Sequence, residues 1–140
     1  MINFFVPGPP KGKGRPRFGR TKDGHIVTYT PKETKEYEQF IRLCYWQNAR
    51  GKKPTGKPVA VRITICHPIP KSIGVTKYGE YLAGTIRPTV KPDADNVTKA
   101  VMDALNELAW ADDKQVVDIK ASKYYSDQPG LLVEIDEIGN

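Results

Sequence analysis

The nine residues Lys91-Pro92-Asp93-Ala94-Asp95-Asn96-Val97-Thr98-Lys99 place two carboxylates two positions apart, at the entry to a helical apolar periodicity. A second acidic pair, Asp112-Asp113, follows the same stretch. Hard divalent cations take carboxylate oxygens, and Mg²⁺ commonly needs only one or two of them, with water and substrate phosphate completing its shell. Asp93 and Asp95 can converge on one such ion if the backbone there is extended or turning. Lys99 lies one turn beyond Asp95 on the same helix face, where an ammonium can contact a phosphate or offset charge developing on it. Asp103, a further turn along, is a second partner for Lys99.

Each of these residues also has a plainer use. Asp93 or Asp95 suits the N-cap of a helix, where acids also meet the favourable end of the dipole. Asp112-Asp113 reads equally as a polar turn before a strand. Lys99 reads as a solvated residue paired with Asp95 or Asp103. A calcium loop is excluded, because counting from Asp93 the sixth position is Thr98 rather than Gly and the twelfth is Ala104 rather than Glu. Spacing does not bring Asp113 to Asp93, since a helix over 94–109 would span about 24 Å.

The charges are segregated along the chain. Residues 1–92 hold 18 Lys/Arg against 5 Asp/Glu, whereas residues 93–140 hold 4 against 11. A solvated surface mixes the two signs. A polyanion-binding protein with a metal site separates them, holding phosphates with one part and a cation with the other. Lys11, Lys13, Arg15, Arg17, Arg20 and Lys22 fall within twelve residues that contain no acid. Glycines there permit close backbone approach, and Phe18 and Tyr29 can stack on exposed bases. The alternative is a solvated loop. Its glycine spacing does not match a phosphate loop of the Gly-x-x-x-x-Gly-Lys-Ser/Thr type. Lys71, Lys77, Arg87 and Lys91 form a sparser basic stretch leading into the acids.

Other chemistries find no support. His25 and His67 have no partner at ligand spacing and read as structural. Trp46 and Trp110 read as core residues. Cys44 and Cys66 match no metal motif and no disulfide framework, and read as reduced thiols of a cytoplasmic protein. No apolar run is long enough to span a membrane, and MINFFVPGPP lacks the charged start and cleavage site of a signal peptide.

The elements that must position these groups follow from periodicity. Residues 2–7 read as a buried strand, 8–24 as irregular, and 25–29 as a short strand. Thr30-Pro31 with Glu33 resembles a capping box opening a helix to about Arg50, whose apolar face is Tyr37, Phe40, Ile41, Cys44 and Tyr45. Val59, Val61, Ile63 and Ile65 alternate as in a half-buried strand. Residues 71–92 read as a long loop with room for a short helix. Val97, Ala100, Val101, Ala104, Leu105 and Leu108 give a helix over 94–109, and strands follow at 115–121 and 131–138. The expected fold is α/β (α+β): a small mixed sheet packed with two main helices, in one domain over 1–140.

The run KPDADNVTKAVMDALNELAWADDKQVVDI resembles the RusA-type Holliday junction resolvases, common in phages and prophages. Their pattern is Asp-x-Asp-Asn, a Lys four residues after the second Asp, a helix ending in Asp-Ala-Leu, then Asp-Asp-x-Gln-Val-Val. Here these are Asp93, Asp95, Asn96, Lys99, Asp103-Ala104-Leu105, and Asp112-Asp113 with Gln115-Val116-Val117. The close match covers about a quarter of the chain, and the N-terminal half agrees in layout. The resemblance implies a homodimer of mixed α/β fold that cuts four-way DNA junctions by paired Mg²⁺-dependent nicks, in recombination and repair. It puts the essential acids on Asp93, Asp95 and Asp113 as metal ligands and the essential lysine on Lys99. It leaves DNA contacts to Lys11, Lys13, Arg15, Arg17, Arg20 and Lys91. It also brings the turn after the helix to the site, through dimer geometry if not within one chain. The 71–92 segment is longer than in shorter members. The competing expectations are a non-catalytic nucleic-acid-binding module of phage origin and a protein-interaction domain from a phage locus.

Overall fold

Alternation of apolar and polar residues builds the central sheet. In strand β4 (Val59–Pro68) the residues Val59, Val61, Ile63 and Ile65 are fully or almost fully buried while their neighbours face outward. The same alternation holds in β1 (Ile2–Pro7), where Phe4 and Val6 are buried, and in β6 (Gly130–Glu137), where Leu131, Val133 and Ile135 are buried. With β5 (Val116–Ser126) these strands form one sheet in the order β1-β6-β4-β5. This is the computed structural model of the chain, and it describes residues 1–139.

Helices α1 (Lys32–Ala49) and α3 (Ala94–Leu105) cover the buried face of the sheet, contributing Tyr37, Ile41, Cys44 and Tyr45 from one and Val97, Ala100, Val101, Ala104 and Leu105 from the other. Each fully buried large aliphatic or aromatic side chain stabilises the fold by about 1.5–3 kcal/mol. Phe4 meets Tyr45 edge-on, with ring centroids 5.7 Å apart. The expected mixed α+β architecture with two main helices is therefore present. A third helix, α2 (Val75–Ala83), lies within the long segment and buries none of its residues. A separate hairpin pairs β2 (Arg17–Arg20) with β3 (Ile26–Tyr29).

Several local expectations are corrected. Residues 8–24 are not irregular throughout: Arg17–Arg20 forms a strand because Ile26–Tyr29 pairs with it across a turn in which Gly24 takes φ +84°. The capping box at Thr30 is absent. Helix α1 starts after Pro31 with no side-chain cap. Helix α3 ends at Leu105 rather than 109, and Glu107 adopts a positive φ just beyond it. Trp110 is fully buried as expected, but Trp46 is 58% exposed. The buried stripe of α1 runs through Tyr37, Ile41, Cys44 and Tyr45, and residue 46 is turned about 100° beyond Tyr45 at the edge of that stripe. The two cysteines are free.

Strand directions decide what can meet. Strands β1 and β4 are both antiparallel to β6, and β5 is parallel to β4. Hence β1, β4 and β5 all end at one end of the sheet. The basic loop leaves β1 there, and the segment leading to α3 leaves β4 there. Helix α3 then carries the chain back to the opposite end, where β5 begins.

Two tests follow from this packing. A Cβ on Gly130 would collide with the Val6 carbonyl and the Phe5 ring, so Gly130→Ala should cost about 1–3 kcal/mol, read as a lower urea midpoint; a wild-type midpoint would contradict the β1–β6 packing. Burial, with Lys123 adding repulsion, pushes the buried His67 below the ordinary imidazole value of 6.5. The neutral ring therefore contributes stability above that pH, which is lost as pH falls through the lowered folded value. His67→Gln should remove that part of the acid loss in melts taken stepwise downward from pH 6.5.

Candidate active site

Asp93 is the N-cap residue of α3, yet its side chain accepts no capping hydrogen bond. An N-cap aspartate usually satisfies the free N–H groups of the first turn, so this carboxylate is unspent on the helix. Asp95 sits in the first turn, where a negative charge is favourable. Its recorded partner is Lys99, with Nζ–Oδ2 at 3.1 Å, and both side chains are largely exposed. An exposed i,i+4 pair of this kind contributes only a few tenths of a kcal/mol, so an incoming anion or cation can divide it at little cost.

The basic loop is fixed to this helix end. The Lys13 backbone N–H donates to the Asn96 carbonyl at 3.0 Å. Gly12 packs so closely that a Cβ there would lie 2.8 Å from Asn96 Cβ and 3.2 Å from Pro92 Cβ. Gly14 N–H donates to Thr34 Oγ1 at 2.9 Å. The result is a cleft of about 320 Å³ lined by Gly12, Lys13, Arg15, Lys91, Pro92, Asp93 and Asn96. Basic residues some eighty positions upstream thus stand beside the first acid of the motif.

Within the basic set the structure separates roles. Lys13 Nζ is hydrogen-bonded to Asp103, and Glu38 lies 3.7 Å away. The hydrogen bond to Asp103 chiefly raises the Lys13 pKa, and burial raises that of Glu38. Lys13 therefore anchors the loop to α1 and α3. Lys11, Arg15, Arg17, Arg20 and Lys91 are exposed, and none forms a salt bridge among the described residues. Asp103, one of the two partners expected for Lys99, belongs to Lys13 instead.

Asp113 lies elsewhere. It follows the C-terminal end of α3, whose twelve residues rise about 18 Å, and precedes the start of β5. Its Oδ1 accepts the indole N–H of the buried Trp110 at 2.8 Å. Its neighbour Asp112 forms a capping box with Gln115, whose amide also donates to the Thr55 and Lys57 carbonyls at 2.8 and 3.0 Å. The polar-turn reading thus accounts for Asp112. Among the described residues no three His, Cys, Asp or Glu side chains gather closely enough to hold a metal, and Asp113 stands at the other end of α3 from Asp93 and Asp95. The donor set still fits a hard cation: two exposed carboxylates, one free of capping duty, match the one or two that Mg²⁺ takes alongside water and phosphate. The anchoring roles of Glu38 and Gln115 escaped sequence reasoning. For Gln115 the signal was the Asp-x-x-Gln spacing of a capping box.

The model of the endodeoxyribonuclease RusA family matches residues 7–136, and the chain belongs to that family. It is also similar to a protein of Bacillus subtilis (strain 168) described as "Uncharacterized protein YqaN", at 41% identity over 139 residues, covering 98% of this chain and 96% of the relative. Among the described residues no helix is long and apolar enough to cross a membrane.

Gly12→Ala tests the loop contact directly. The added methyl must push the loop away from Asn96, and displacements of about 1 Å can cost about 100-fold in rate. Endodeoxyribonuclease activity should fall at least about tenfold, while the urea midpoint falls by the equivalent of about 1–3 kcal/mol, the cost of overpacking, with the protein still folded without urea. Undiminished cutting would show that the contact does not position the site.

Proposed function

We propose that this protein, as one endonuclease domain over residues 1–140, is a Mg²⁺-dependent, structure-selective endodeoxyribonuclease. It resolves four-way DNA junctions by paired nicks, in recombination and repair within the cytoplasm. The observation that carries this reading is the pinning of the basic loop against Asp93 at the start of α3, which sets phosphate-binding cations beside carboxylates free to hold a metal. Asp93 and Asp95 would hold the ion. When bound, Mg²⁺ activates water and offsets charge on the phosphate. Lys99 releases Asp95 to meet the scissile phosphate and stabilises charge developing there. Lys11, Arg15, Arg17, Arg20 and Lys91 hold the flanking backbone, while Lys13 holds the loop.

Asp113 enters through a homodimer. It lies at the opposite end of α3 from Asp93, so a second copy related by a two-fold axis can bring its Asp113 to the first copy's Asp93–Asp95 and receive the same in return. Such an arrangement is isologous and makes two equivalent sites, one for each of two opposed strands. A prophage origin fits the family.

The discriminating assay is a labelled four-way junction with Mg²⁺ or EDTA. Wild-type protein should give paired nicks only with the metal. Asp93→Asn and Asp95→Asn should bind the junction within a few-fold of wild type and lose at least about 10²-fold in cutting, the scale of losing one charge-stabilising group. Unchanged cleavage by both variants, or junction binding with no nick under any metal, would sink the assignment in favour of a non-catalytic DNA-binding module.

A further inference from the structure

We propose that the β2–β3 hairpin is an arm that engages unstacked bases at a DNA branch point, with Phe18 as the stacking residue and Arg17 and Arg20 on the adjoining phosphates. The inference rests on the DNA-directed half of the proposed function and not on its metal chemistry.

The hairpin has no face toward the core. Every residue of its two strands except Gly19 is exposed, Phe18 at 73%, Ile26 at 66% and Tyr29 at 48%. Opposed residues share a face in an antiparallel pair. Phe18, Arg20, Ile26 and Thr28 therefore lie on one side, and Arg17, Gly19, Val27 and Tyr29 on the other. The Tyr29 ring lies across Gly19, so close that a Cβ there would be 3.3 Å from its Cε1. Each side thus presents an aromatic ring and an arginine. A two-stranded pair without a covered face is marginal in water, and apolar side chains so exposed gain burial only from a partner.

Charge names the partner. From Arg15 to Tyr29 the arm carries Arg15, Arg17, Arg20 and Lys22 against the single acid Asp23, which sits in the turn. Aromatic rings set among cations match single-stranded or unstacked nucleic acid, whose bases offer π-faces between phosphates. Paired duplex bases are covered on both faces, but the pairs flanking the branch point of an open junction are not. Position agrees with this. The base of the arm is clamped where Gly14 donates to Thr34 and packs beside Pro31, within the same loop that touches Asn96 through Gly12 and Lys13. The arm therefore springs from the rim of the Asp93 cleft.

The test uses full-length protein in EDTA, so that nothing is cut, with a fluorescent four-way junction and a linear duplex of the same arm sequences, over a range of salt. Phe18→Ala should weaken junction binding about 10-fold, as removal of a stacked aromatic does. It should leave duplex binding and the salt slope unchanged, and Phe18→Trp should restore affinity. Arg20→Ala should instead reduce the slope of log K against log salt by about one on both DNAs. Wild-type junction affinity in Phe18→Ala, an equal loss on duplex and junction, or a change confined to its sedimentation (the mark of a second protein copy as the occupant) would each overturn the proposal. A Mg²⁺ cleavage assay on wild type separates the two readings. Absence of nicking together with Phe18-dependent junction selectivity removes the nuclease but keeps the arm, while nicking with Phe18-indifferent binding does the reverse.

Discussion

The contact between Gly12 and Asn96 is possible only because position 12 has no side chain, and much of the molecule's chemistry hangs on it. With the Lys13 amide bonded to the Asn96 carbonyl, the backbone of a chain segment rich in positive charge is fixed against the first turn of α3. That fixes Arg15 and Lys91 on the walls of the cleft that holds Asp93. It also fixes Gly14 against Thr34, and hence the root of the β2–β3 hairpin. Without this approach the cations would be a solvated coil whose mean position bears no relation to the acids, and ordering it on DNA would cost about 1–2 kcal/mol per residue.

The electrostatics of the pin explain why one lysine is withdrawn from the basic set. Lys13 faces Glu38 and Asp103, which belong to different helices. Glu38 is largely covered, and its desolvation is what raises its pKa. Removing Lys13 would leave that carboxylate facing Asp103 with no cation between them. Lys13 therefore joins loop, α1 and α3 into one unit. The exposed Lys99–Asp95 pair is the opposite case: it contributes little to stability, and for that reason its members remain available to a ligand.

Much of this was legible in the sequence, for identifiable reasons. Val59 to Ile65 alternates strictly and became the buried face of β4, because a period of two leaves a half-covered strand few alternatives. Val97 to Leu105 likewise repeats at the helical period. Asp93 and Asp95 were legible as neighbours because two positions along a chain cannot be far apart. What stayed hidden depends on contacts between distant segments. Gly12 near Asn96, Lys13 with Asp103 and Gln115 on Thr55 all join residues forty or more positions apart, and no local pattern encodes them. Trp46 was misread because a tryptophan beside an apolar stripe resembles one within it. The stretch 8–24 was misread because Arg17–Arg20 becomes a strand only through its pairing with Ile26–Tyr29.

The strand directions impose the last constraint. Because β1, β4 and β5 run the same way, the loops after β1 and β4 share one end of the sheet, and the turn before β5 is confined to the other. Asp113 cannot shorten that distance by local rearrangement. Trp110 holds its carboxylate from the core, Asp112 and Gln115 close the turn around it, and Gln115 ties the turn to the Thr55–Lys57 backbone. These anchors exceed what a solvated turn requires, and they make sense if the carboxylate must be presented rigidly to something outside its own chain. Under the proposed function, a single copy would then have half of a site at each end. Two-fold pairing that sets unlike ends together would complete both halves at once, whereas any arrangement that sets like ends together would complete neither. In that proposal, the need for a second copy and the need for two cuts in a branched substrate would be one geometric condition.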